Sequence, residues 1–284
     1  MSERTAFVFA GGGSLGAVQV GMLHELMLAA VQPDFVVGSS VGAINAAYFA
    51  AAPDLDAVER LERLWLGLTR RDVFPFTLGS ALRMLRGGES LVDPGHLRGL
   101  LEAHLAISRL EQARIGLHVM ATDQQGLSVR LSSGPAVDAV LASAAVPGIF
   151  PPVRIGDQDL MDGAIAANTP LRLAVELGAK RIVVLPTGYA CALEGAPRGA
   201  IAKALHAVTL LIAWQLMHEL DSMPPDVQVH LAPALCPLAV SPYDFSASRR
   251  LVERARQSTR AWIAEGGLER PARSRELSPH HHRH

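Results

Sequence analysis

Gly38-Ser39-Ser40-Val41-Gly42 sets a serine between two glycines, after a short apolar run and before an alanine-rich stretch. In a strand-turn-helix setting, Gly-X-Ser-X-Gly spacing forms a nucleophile elbow: the glycines leave room for a strained turn that lifts the Ser40 hydroxyl clear of the backbone. The N-terminal amides of the following helix then favour negative charge developing on that oxygen. The alternative is an ordinary turn whose serine caps the next helix.

A second pattern, Gly11-Gly12-Gly13-Ser14-Leu15-Gly16, follows the first apolar run and opens the first helix. Three consecutive glycines expose backbone N–H groups that can converge on an anion. No Gly-Lys-Ser/Thr follows, so the spacing is not that of a P-loop. The hexapeptide formally matches Gly-X-Gly-X-X-Gly, and Asp34 stands about 20 positions further on, so dinucleotide binding is a rival. Asp34, however, stands at the start of the second strand instead of its end, where a ribose ligand should sit. An oxyanion hole fits better, because adjacent parallel strands bring the glycine amides and Ser40 to one sheet edge.

A serine nucleophile needs a base. Asp162-Gly163 follows a short strand among apolar and small residues. It reads either as a turn, for which Asp-Gly is a favoured pair, or as a base. A carboxylate of ordinary pKa, about 3.9, is a weak base at neutral pH, and burial against apolar neighbours raises it. A triad instead requires a histidine, and His206, His218 and His230 are the candidates after Asp162. None carries a local signature. Chain order also argues against an α/β-hydrolase, whose serine follows several strands; here the elbow follows the second.

The elements that position these residues alternate. Thr5 to Ala10, an apolar run, and Asp34 to Val37 are short strands, each followed by a helix (Ser14 to Ala30 and Val41 to about Ala51). That alternation begins a parallel α/β sheet. Further helices are expected over Val58 to Leu68, Gly95 to Leu105, Ala136 to Ala145, Leu171 to Leu177, Ala200 to Leu220 and Ser246 to Ala264. Leu117 to Thr122 and Leu127 to Leu131 form a hairpin, and Gln158 to Met161, Arg181 to Leu185 and Val227 to Leu231 are strands. No internal repeat or composition break marks a second domain. The expectation is one domain over 1–267 and a frayed charged tail over 268–284.

The 284 residues carry 26 Lys plus Arg and 27 Asp plus Glu, a net charge of −1 that removes the electrostatic case for a nucleic-acid partner. At 49% hydrophobic and 19% charged, the chain can bury a sizeable core. Cys191 and Cys236 cannot form a disulfide framework or a four-cysteine zinc site, and so few cysteines fit a reducing compartment. The N-terminus lacks a signal-peptide pattern, and Ala204 to Met217 falls short of the roughly 20 apolar residues that span a bilayer. A soluble, cytoplasmic protein is expected.

Four blocks, in order, resemble the patatin-like phospholipases, in particular their short bacterial members. They are Gly11 to Gly16, Gly38 to Ala43, Ala142-Ser143-Ala144-Ala145-Val146-Pro147-Gly148-Ile149-Phe150-Pro151-Pro152, and Asp162-Gly163-Ala164, within residues 5 to about 185. The resemblance implies an α/β/α sandwich of three layers around a mainly parallel sheet. It also implies an acyl-ester hydrolase acting on lipids, with Ser40 as nucleophile, Asp162 as base and the Gly11, Gly12 and Gly13 loop as oxyanion hole. Neither metal nor cofactor is implied. Two departures stand out: Leu15 occupies a position where many members carry Arg or Lys, and the family's Asp-Gly-Gly is Asp162-Gly163-Ala164.

Ile149 and Phe150 offer surface for an acyl chain or for core packing. The helix from 200 to 220, carrying Leu205, Val208, Leu211, Ile212, Trp214 and Leu216, reads as core or as a lipid-facing element. Residues 72–92 are the preferred lid and site of transient membrane contact. Two other functions stay open: the same chemistry on thioesters or small soluble esters, and a non-enzymatic nucleotide or phosphate binder using the glycine loop. Oligomeric state is left open.

Overall fold

A computed structural model describes residues 3–75, 90–188, 200–236 and 240–272. Among them, eight strands form one sheet in the order β5-β6-β3-β2-β1-β7-β8, with β4 also paired to β3. Strands β1 (Thr5–Phe9), β2 (Phe35–Ser39), β3 (Gly116–Thr122), β7 (Arg181–Leu185) and β8 (Gln228–Leu231) run parallel. Strands β4 (Ser128–Leu131), β5 (Val153–Ile155) and β6 (Gln158–Asp162) complete the sheet by antiparallel pairing.

The layering follows from β1. All five of its residues are buried, so apolar side chains leave both faces. Phe7 and Phe9 turn to one face and meet Phe49, with ring centroids 6.3 and 6.5 Å apart. Ala6 and Val8 turn to the other and join Val37, Ile182, Val184, Leu171 and Leu216. A sheet apolar on both faces needs a helical layer on each. The first layer holds α1 (Gly16–Leu28), α2 (Val41–Ala51), α3 (Leu55–Gly67), α5 (Gly95–His104), α6 (Ala136–Ser143) and α10 (Ser248–Ala264). The opposite layer holds α7 (Ala164–Ala167), α8 (Leu171–Glu176) and α9 (Ala200–Asp221). The short α4 (Arg70–Val73) follows α3. Helix α1 is apolar nearly all round, and α10 covers the side that the sheet does not.

Strand register positions the site. Phe9 is level with Gly38 in parallel β1 and β2, so the glycine loop and the elbow leave the sheet side by side at the same edge. Ser39 is level with Met120, and the next residue of β3, Ala121, pairs with Asp162. Ser40 and Asp162 therefore stand on either side of β3 at one level.

The three-layer expectation holds, and the long elements fall within a few residues of their expected places. The short β5, α4 and α7 were not legible from periodicity, because three or four residues are too few to show one. Residues 268–272, assigned to the tail by composition, stay on the fold: the Ala272 N–H donates to the Val229 carbonyl at 2.7 Å. The tail from 273 on lies outside the described residues. So do residues 76–89, most of the expected lid.

Candidate active site

Ser40 sits between β2 and α2 with φ 55° and ψ −128°, a backbone region that non-glycine residues avoid. Such a conformation costs on the order of 1–3 kcal/mol and persists only where its surroundings enforce it. The enforcement is tight packing: a side chain at Gly42 would collide with the Phe9 carbonyl, so the turn can hug β1 only with glycine there. In this posture the Ser40 hydroxyl donates to Asp162 Oδ2 at 2.7 Å. Both residues are nearly sealed from water, at 8% and 3% exposure.

Asp162 ends β6. Its N–H donates to the Ala145 carbonyl at 3.0 Å and its carbonyl accepts the Thr122 hydroxyl at 2.8 Å, which fixes the main chain. Oδ1 accepts the Ala164 N–H at 2.8 Å, so the residue after Gly163 contributes through its backbone and the Gly-to-Ala departure leaves the aspartate in place. Burial pushes the carboxyl up to about 6, against the opposing donations from Ser40 and Ala164. No cationic side chain among the described residues offsets that burial. The base alternative thus fits Asp162 better than a solvated turn does.

The glycine loop lies against Ser40. A Cβ on Gly11 would stand 3.1 Å from Ser40 Cβ and 2.6 Å from Asn168 Oδ1. Gly11 was expected among the oxyanion donors, but its N–H is donated to the Asn168 carbonyl at 3.1 Å. Its carbonyl accepts the Thr187 hydroxyl at 2.6 Å, and the Ser14 N–H donates to the Pro242 carbonyl at 2.7 Å. The loop is therefore pinned at both ends, while the N–H groups of Gly12 and Gly13 donate to no acceptor among the described residues. Behind it, Gln19 donates to the Ala10 carbonyl at 2.8 Å and Asn45 to the Gly16 carbonyl at 3.0 Å. Leu15 is buried in the core.

The rival assignments separate. His230 lies on β8, two strands beyond β1, and its Nδ1 faces the Gly267 carbonyl at 3.3 Å. His218 lies on α9, and the Ser40 hydroxyl bonds to Asp162 instead; the His206 side chain lies outside those described. Asp34 is bonded to Thr5 at the start of β1 and β2, the end of the sheet opposite the glycine loop, where no ribose on that loop reaches it. Among the described residues, no group of three or more His, Cys, Asp or Glu is placed to hold a metal.

The rim was less legible. Phe150 is buried and stacks on Phe74 with centroids 5.7 Å apart, so it belongs to the core. Tyr243, which no motif signalled, meets Phe74 edge-on at 5.3 Å. Burial, and then the charge of Asp162, holds its phenol above the usual tyrosine range. Tyr243 also lines a groove of about 490 Å³ with Leu68, Thr69 and Phe245. On α9, Leu216 joins the core while Leu211 and Trp214 face outward at 68% and 70% exposure. The side chains of Leu205 and Val208 lie outside those described.

Residues 7–175 match the family model for the patatin-like phospholipases. The chain belongs to that family. A patatin-like phospholipase domain-containing protein of Caenorhabditis elegans is 29% identical over 186 residues, 64% of this chain and 16% of that protein. An NTE family protein of Mycobacterium tuberculosis is 32% identical over 165 residues, 57% of this chain and 27% of its own length. The chain thus spans less than a third of these curated relatives. Among solved structures, VipD of Legionella pneumophila aligns with a TM-score of 0.49 at 14% identity, covering 95% of this chain and 67% of that one. Among the described residues, no helix is long and apolar enough to cross a membrane.

Proposed function

We propose that this patatin-like protein is a serine acyl hydrolase that cleaves fatty-acyl esters of lipids with a Ser40-Asp162 dyad. The observation that carries the reading is the buried 2.7 Å hydrogen bond from the Ser40 hydroxyl to a carboxylate poised near 6. A base of that pKa is largely ionised at neutral pH, yet basic enough to accept the serine proton as the oxygen attacks. Ser40 Oγ bonds to the ester carbonyl carbon, its proton passes to Asp162, and the carbonyl oxygen becomes an oxyanion. The unengaged N–H groups of Gly12 and Gly13 are the donors for that oxyanion. Collapse of the intermediate breaks the ester C–O bond, and Asp162 returns the proton to the leaving alcohol. Water then attacks the acyl-serine and gives its proton to Asp162; the acyl–Oγ bond breaks, the fatty acid leaves, and Asp162 returns the proton to Ser40. The outward Leu211 and Trp214 support transient contact with the lipid surface that holds such a substrate.

Intact-mass analysis after treatment with a fluorophosphonate tests the nucleophile. One adduct on the wild type and none on Ser40→Ala is expected; adducts on both would overturn the assignment. Rates on micellar phospholipid against a short-chain ester test the substrate class. Faster turnover of the short-chain ester, with phospholipid left nearly untouched, would replace lipids by small esters or thioesters.

A further inference from the structure

We propose that Ser143 is a positioning residue, whose hydroxyl holds the main chain of Ser40 in its strained turn while its own helical turn ties that elbow to the strand carrying Asp162. The inference rests on the reading of Ser40 as nucleophile.

The β2-β3 ladder ends at Ser39, so the N–H of Ser40 has no strand partner just where the chain turns. The Ser143 hydroxyl takes that place: it accepts the Ser40 N–H at 2.9 Å and donates to the Met120 carbonyl at 2.5 Å. A hydroxyl can accept and donate at once, so one side chain supplies the missing rung. Ser143 is fully buried, so water does not reach the site to replace it. The same turn reaches the other half of the pair. The Ser143 carbonyl accepts the Gly163 N–H at 3.1 Å, and the Ala145 carbonyl accepts the Asp162 N–H at 3.0 Å. Ser40 and Asp162 are 122 residues apart in the chain. The end of α6 and the two residues after it touch the main chain of both, so this turn sets the spacing that their hydrogen bond requires.

The test reads the labelling rate of Ser40 by a fluorophosphonate, per folded molecule, together with kcat and KM on a short-chain ester. Ser143→Ala leaves the Ser40 N–H and the Met120 carbonyl unpaired, and Ser143→Cys keeps the volume but supplies only a weak acceptor. Both variants are expected to slow labelling and lower kcat by about 10- to 100-fold with KM unchanged, the scale of a misplaced reacting group. Recovery in Ser143→Thr, which restores the hydroxyl, supports the assignment. A purely structural role would lower the thermal midpoint and the folded fraction but not the rate per folded molecule. Labelling at the wild-type rate by either the alanine or the cysteine variant overturns the proposal, and the cysteine variant decides if alanine does not fold. Failure of the wild type to label at Ser40 is a separate result, which overturns the nucleophile assignment itself.

Discussion

Glu25 on α1 and Asp162 at the end of β6 are almost equally hidden, at 4% and 3% exposure, yet their carboxyl groups shift in opposite directions. Burial pushes both up. At Glu25 that push is overcome by two hydrogen bonds from the Arg260 guanidinium, at 2.9 and 3.1 Å, by His24 at 3.0 Å, and by the positive charge of Arg260. Its carboxyl is held below the usual glutamate range, and the ion pair fastens α10 over α1. Asp162 has only the Ser40 hydroxyl and the Ala164 N–H against its burial, and its carboxyl stays near 6. Glu25, at the seam between two helices and met by a cation, is a fastening; Asp162, deeper in the fold and met by none, keeps a raised carboxyl.

The largest expected break in this contrast is Asp162→Asn, which keeps the shape and removes the proton acceptor. It should lower kcat by about 10²- to 10⁴-fold, the range for losing a general base, while the protein remains folded. Near-wild-type turnover would remove Asp162 from the chemistry. The pH dependence comes next. With Asp162 as the proposed base, kcat/KM should rise with pH through a midpoint near 6, falling about tenfold per unit below it. Stability runs the other way. A carboxyl raised in the folded state binds more protons folded than unfolded between its ordinary value and about 6, so its stabilisation is present at low pH and lost as pH rises through that window. Ionised, it costs on the order of 3 kcal/mol, the equivalent of about two pKa units. Asp162→Asn should therefore melt no lower than the wild type at pH 8.

Glu25→Gln sharpens the other side. It should lower the thermal midpoint and leave kcat unchanged, because the carboxyl lies at the α1-α10 seam. Glu25 is held low in the folded state, so its contribution is present above the unfolded glutamate pKa and fades as pH falls through the folded one. The melting curves of the wild type and of the Glu25→Gln variant should converge under acid conditions. The smallest effect is expected on the exposed face of α9. Leu211→Ser combined with Trp214→Ala should weaken binding to phospholipid vesicles in a flotation assay and spare turnover of a soluble short-chain ester. Equal loss on both substrates would place these residues in the fold instead of at a lipid surface.

Ser40, Asp162 and the glycine loop were legible because each sits in a short pattern whose spacing answers to a local backbone demand. The parallel core was legible for a similar reason: runs such as the Ala6 to Phe9 stretch of β1 are apolar on successive residues, which only a strand buried on both faces requires. Ser143 was visible only as one residue of a block read for its prolines and apolar side chains, and its partner Ser40 is 103 residues away. Tyr243 lies outside every pattern, and Gly11 looked like its two neighbours until the Asn168 carbonyl took its N–H.

Residue types and spacing determined which groups are able to react: a serine in a turn too tight for side chains, an acid in an apolar setting, and a run of exposed amides. Tertiary structure decided which acid meets the serine, whether a histidine intervenes, and which amides stay unengaged. Those outcomes depend on strand register across β3 and on the absence of a nearby cation among the described residues. Hydrogen bonding and desolvation act over a few ångströms in space, so residues distant in sequence set them together, and no local pattern records the result.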